Sequence, residues 1–131
     1  MKIYRAMTPD ADGLPQVGRS ARQLGVRPLE RLPHNDVSAA TTDDRVIPGE
    51  GMSAAPHDPA NLGKNRRPPL VEGGTGKDPV WEIDTDDLGP KLEYVFDKAT
   101  HGVVGPKEPM TLAELEQALA ATRHRWLRVI G

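Results

Sequence analysis

The chain has 131 residues, with 13 glycines, 13 prolines and only five aromatic residues (two Trp, two Tyr, one Phe). Glycine and proline make up a fifth of it, against roughly 12% in average proteins, and they punctuate almost every stretch before residue 110, which excludes a long helical bundle. No cysteine is present, so a disulfide scaffold is excluded, and no run approaches the ~18 apolar residues that read as a membrane span. With 17 Lys and Arg against 19 Asp and Glu, the net charge of −2 gives no bulk attraction for extended nucleic acid or an anionic membrane.

The length suits one compact domain over residues 1–131. Lys2–Met7 is short and β-prone, and Thr8-Pro9-Asp10-Ala11-Asp12-Gly13 closes it with turn chemistry. Residues 14–44 carry few apolar residues. Ser20–Leu24 has room for one helical turn, stopped by Gly25; Arg27-Pro28, Leu32-Pro33 and Asn35-Asp36 predict irregular, extended chain. A loop this long is either functional or partly disordered. Arg45–Pro48 reads as the end of a short strand. Gly49–Pro56 is rich in small residues that allow close backbone approach. Residues 57–79 are again rich in proline and glycine and read as a surface loop.

Val80–Thr85 is the clearest strand, with Trp81 and Ile83 on one face and Glu82 and Asp84 on the other. After the turn Asp86–Pro90, Leu92–Asp97 alternates again and predicts Leu92, Tyr94 and Phe96 on a core face. His101–Gly105 is a third short strand, closed by Pro106. A helix begins after Thr111, where Thr111-Leu112-Ala113-Glu114 is a capping box and Met110 and Leu115 have hydrophobic-staple spacing. Leu112, Leu115, Leu119, Thr122 and Trp126 form its inner face, while Glu116, Arg123 and Arg125 are free to face water. Val129-Ile130 either adds a strand or simply packs. The predicted class is α+β: a small mixed or antiparallel β-core of short strands, with long loops and a C-terminal helix.

Few motifs carry chemistry. Gly73-Gly74-Thr75-Gly76-Lys77-Asp78 lacks the following Ser or Thr, and the helix, of a phosphate-binding loop, so a flexible turn is expected. Gly51–Ala55 lacks the helix of a nucleophile elbow, since Pro56 and Pro59 follow. His34, His57, His101 and His124 show no zinc-ligand spacing, so no metal is expected. His101 stands out because Gly102 beside it would leave room for a ligand. Arg5 stands out because an inward-facing strand Arg needs an anion or an acidic partner.

Four segments taken in order, Ile3-Tyr4-Arg5-Ala6, Gly51–Pro56, Trp81-Glu82-Ile83 and His101–Val104 with Pro106, Pro109 and Met110, resemble small bacterial toxins of the type VI secretion effector group with an ADP-ribosyltransferase-like fold. The similarity runs from Ile3 to Trp126. It implies an NAD-using transferase, or a relative resembling an NAD glycohydrolase, with Arg5, Ser53 and His101 as catalytic residues. Arg5, Ser53, Arg66 and Arg67 are implied for NAD binding, with Lys64 nearby in the basic loop. The family's usual catalytic Glu has no clear counterpart; His101 is the better match, with Glu82 and Glu93 as acidic alternatives. The resemblance also implies a cognate immunity protein and action in the cytoplasm of a target cell. No secretory leader follows Met1, so delivery would be signal-independent. Two other functions fit the same fold: a non-enzymatic binding or immunity-type protein, and a phosphate-handling relative of RNA 2′-phosphotransferases.

Overall fold

The computed structural model describes residues 1–31 and 34–131, so the Leu32-Pro33 expectation lies outside the described residues. The first strand, β1 (Lys2–Ala6), is flanked by β3 (Met52–Pro56) and β4 (Val80–Asp84). A hairpin of β5 (Leu92–Lys98) and β6 (His101–Pro106) adds beyond β3, and β8 (Leu127–Ile130) adds beyond β4. The result is one antiparallel sheet in the order β5-β6-β3-β1-β4-β8. A separate two-stranded ribbon pairs β2 (Arg45–Val46) with β7 (Met110–Thr111), and the helix α1 (Leu112–Ala121) follows directly. This is the expected α+β class, antiparallel throughout, and Val129-Ile130 belongs to a true edge strand.

The helix starts where its local chemistry dictates. The Thr111 hydroxyl accepts from the Glu114 amide at 3.2 Å, and the Glu114 carboxylate accepts from the Thr111 amide at 3.1 Å. Leu112, Leu115 and Leu119 are fully buried against Ile3, Met7, Trp81 and Ile83 on one sheet face. Trp126 is buried among them; its indole N–H donates to the Thr122 hydroxyl at 3.0 Å, and that hydroxyl donates to the Leu119 carbonyl at 2.7 Å. The buried indole N–H and the Thr122 hydroxyl therefore both have partners. Glu116 and Arg123 do more than face water. Glu116 takes a two-pronged bond from Arg19, at 2.7 and 3.0 Å, and Arg123 clamps Asp12 and the Pro15 carbonyl. The opposite sheet face carries a smaller cluster of Tyr4, Ala55, Leu62 and Val80.

Four expectations change. The described residues of 14–44 follow an irregular path, but they are held in place: Leu24, Val26, Val37 and Ala39 are core residues, and backbone bonds such as Leu24 N–H to the Gln16 carbonyl, 2.8 Å, fasten it. Ser20–Leu24 makes a single turn and then a one-residue bridge to Val17, with no helix. Phe96 is 46% exposed, because β5 is an edge strand; its ring sits at the rim, edge-on to Tyr94 at 5.2 Å and 6.0 Å from His57. Residues 73–78 form a strap rather than a free turn. Gly74 lies directly against the Arg67 carbonyl, where no Cβ fits, and the Gly76 amide donates to that carbonyl at 2.7 Å.

Candidate active site

The β1–β3 ladder has only two paired positions, Ile3 with Pro56 and Tyr4 with Ala55, whereas β1 and β4 pair at five. Continuing the register would set Arg5 opposite Ala54. Instead the strands part there, and the Arg5 guanidinium fills the gap. Its Nη1 donates to the Ser53 carbonyl at 2.7 Å; Nε and Nη2 donate to the Gln23 carbonyl at 3.1 and 2.8 Å.

A cavity of about 270 Å³ opens at the parting. Arg5, Ser53, Arg66 and His101 line it together, with Arg27 and Asn61. Arg67 and Lys64 do not. Arg67 turns toward its own loop, where Nη1 donates to the Leu62 carbonyl at 3.0 Å. Glu82 and Glu93 also lie elsewhere. Glu82 accepts from the Tyr4 hydroxyl at 2.8 Å; burial first, and this bond second, push that phenol up to about 12.

Arg5 is the unusual group. It is only 6% exposed, and its hydrogen-bond partners are carbonyls, with no carboxylate among them. Burial lowers its pKa from 12.5 to about 10; Asp36 opposes that fall, while Arg66 and Arg27 add to it. It stays charged at neutral pH. Its neighbours are better compensated. Arg27 is held in a fork by Asp36 at 3.1 and 3.0 Å. Arg66 is 3.7 Å from Asp78, whose carboxylate is already engaged by Arg22 at 2.7 Å on both oxygens. No described residue lining the cavity is an Asp or Glu. The wall is therefore cationic, suited to phosphate through the planar guanidinium fork.

His101 is positioned by an irregularity in the hairpin. Phe96 pairs with Gly102, but Lys98 pairs with His101, so Asp97 is an extra residue, a bulge. The bulge aims the Asp97 carboxylate at His101 Nδ1, 2.8 and 2.9 Å away. With Nδ1–H donating, Nε2 carries the lone pair. Gly102 does not make room for a ligand. The Tyr94 ring occupies that space, where a Cβ would meet Cζ at 2.5 Å, and the Tyr94 hydroxyl reaches across β6 to the Ala54 carbonyl at 2.8 Å. The Ser53 hydroxyl lines the cavity and has no hydrogen-bond partner among the described residues.

Sequence reasoning missed Arg27, Asn61 and Asp97. Only Asp97 carried a signal, its place four residues before His101 across a predicted hairpin. Among the described residues, no cluster of three or more His, Asp or Glu could hold a metal ion, and no helix is long and apolar enough to cross a membrane. No curated protein and no solved structure matches the chain. A family model described as Tse2 ADP-ribosyltransferase toxin matches residues 2–126.

Proposed function

The chain belongs to the Tse2 ADP-ribosyltransferase toxin family, a family of bacterial toxins with an ADP-ribosyltransferase-like fold, and on that premise we propose that it uses NAD at the cavity where β1 and β3 part. The observation that carries this reading is Arg5: a buried cation, bonded only to carbonyls, in a wall without carboxylates. A buried charge without a counter-ion is costly, and an anionic ligand would supply the missing partner. Arg5, Arg27 and Arg66 would hold the pyrophosphate, and Ser53 would hold a ribose hydroxyl. At about 270 Å³ the cavity is below the size that encloses a drug-sized ligand, ~300–1,000 Å³, so it would take the reacting end of the dinucleotide and leave the remainder on the surface.

NAD supplies an electrophilic ribose carbon and nicotinamide as leaving group. The chain's own residues bind, orient and move a proton. On this reading the His101–Asp97 pair, hydrogen-bonded at 2.8 and 2.9 Å, would serve in place of a catalytic Glu, hydrogen-bonding the acceptor or taking its proton.

The proposal extends to setting. The toxin acts in the cytoplasm of a target bacterium, reaches it by a type VI, signal-independent route, and is blocked in its producer by an immunity protein that covers the cavity. Inducible expression in a bacterium, with intracellular NAD followed over time, tests the reading. Wild type should arrest growth as NAD falls. His101→Ala and Arg66→Ala, both at partly exposed positions, should restore growth at matched protein levels. Full arrest by both variants, or arrest with a constant NAD pool, overturns it.

A further inference from the structure

Resting on the NAD reading, we propose that the acceptor at this site is an uncharged O–H group, which passes its proton to Nε2 of His101. The cavity wall sets this choice. A guanidinium or ammonium acceptor would approach Arg5, Arg27 and Arg66 with no carboxylate on the wall to receive it. The pyrophosphate answers those guanidiniums when NAD is bound, but the wall still offers no carboxylate to accept from the N–H groups of a cationic acceptor. A nitrogen acceptor must also shed a proton before its lone pair can attack. An arginine side chain keeps its proton throughout the physiological range, bound far more tightly than an imidazole can draw off.

A hydroxyl meets neither obstacle. It brings no charge, and it needs a base only as the new bond forms. His101 is such a base. Its Nδ1 is fixed by Asp97 at 2.8 and 2.9 Å and its side chain lines the cavity; in the neutral ring, an Nδ1–H that donates to Asp97 leaves the lone pair on Nε2. An imidazole oriented by a carboxylate through Nδ1 is the arrangement that draws a proton from a serine hydroxyl in acyl-transfer enzymes. In the step itself, the bond from the ribose C1′ to the nicotinamide nitrogen breaks, and its electron pair leaves with nicotinamide. The acceptor oxygen bonds to C1′, and its proton moves to Nε2 and then to solvent. Water and an alcohol are two sources of the same chemistry.

The test is product analysis by mass spectrometry, with the full chain and NAD in water, in water with added methanol, and in water with added agmatine as a guanidino probe. The expected products are ADP-ribose in water and a growing share of O-methyl ADP-ribose as methanol is raised, with no agmatine adduct. ADP-ribose alone in every arm also supports the O–H acceptor and identifies water as its source. His101→Gln should slow nicotinamide release by about a hundredfold or more. Asp97→Asn, which acts through His101, should lower kcat and leave KM for NAD unchanged. An agmatine adduct that outcompetes the oxygen products overturns the inference and leaves the NAD reading standing, and so does a folded His101→Gln protein with an unchanged rate. Absence of nicotinamide release from folded wild type in every arm overturns the NAD reading, and the inference with it.

Discussion

Replacing Arg5 by Met removes the buried charge and keeps most of the side chain's length. Two effects then oppose each other. Burial takes the Arg5 pKa from 12.5 to about 10, which at ~1.4 kcal/mol per tenfold is about 3 kcal/mol held against the charged form. Since the folded value lies below the unfolded one, the folded chain binds this proton less tightly. That penalty is present in full below pH 10 and is relieved only above it. On the other side, the carbonyls of Gln23 and Ser53 lose their donor, at about 1–2 kcal/mol each when water cannot fully replace it. The sum is close to zero, so urea denaturation at pH 7 should place Arg5→Met within about 1 kcal/mol of wild type. Inorganic pyrophosphate should separate the two proteins. At a hundred times its Kd it should stabilise wild type by about 2.7 kcal/mol, roughly 10 °C in Tm for a chain of this size. The variant, lacking a charge-assisted contact of about 1.5–3 kcal/mol, should bind tenfold to a hundredfold more weakly, which at the same concentration cuts the stabilisation to about 0.4–1.4 kcal/mol. A variant that loses more than about 4 kcal/mol yet keeps the full pyrophosphate response would refute the reasoning, since Arg5 would then be a strut and not an anion receptor.

Two further outcomes follow from the packing. In Gly102→Ala the new methyl would meet Tyr94 Cζ at 2.5 Å and the Val95 carbonyl at 2.6 Å, and urea denaturation should read a loss of about 2–3 kcal/mol; Tyr94→Phe, which removes only the bond to the Ala54 carbonyl, should cost about 1 kcal/mol. The bond from Arg22 holds the Asp78 carboxyl below its ordinary 3.8, so its contribution is present above that value and is lost as pH falls through the lower folded one. Asp78→Asn should therefore flatten part of the acid limb of a pH–stability curve. It should cost no more than about 1 kcal/mol at pH 7, because Arg22 is 57% exposed and the pair is screened.

What was legible in the sequence was local. The helix at Leu112–Ala121 announces itself because Thr111 and Glu114 are three residues apart and satisfy each other's backbone. Trp81 and Ile83 alternate on a strand whose neighbours supply the same face. β3 was not legible, because Met52-Ser53-Ala54-Ala55-Pro56 has little β-propensity; it forms because β6 on one side and the start of β1 on the other give its backbone partners. Leu24, Val26, Val37 and Ala39 follow no period, since an irregular path buries residues wherever it happens to turn inward. The site divides in the same way. Arg5, Ser53 and His101 were reached through the order of four segments, and Arg66 through a cluster of like charges. Arg27 comes to the cavity only because Asp36 grips it, and Asp97 only because a bulge re-aims it; both depend on contacts that no spacing rule records.

The parting of β1 from β3 also bears on how the sheet moves. On one side stand β5, β6 and β3; on the other stand β1, β4 and β8. Between these leaves run two paired positions, the His57 amide on the Lys2 carbonyl at 3.0 Å, and the Arg5 side chain. A six-stranded plate thus has one compliant seam, and the cavity lies on it. Arg5 belongs to one leaf, Ser53 and His101 to the other. A ligand seated there grips both leaves at once, so its binding adds stiffness where the sheet has least.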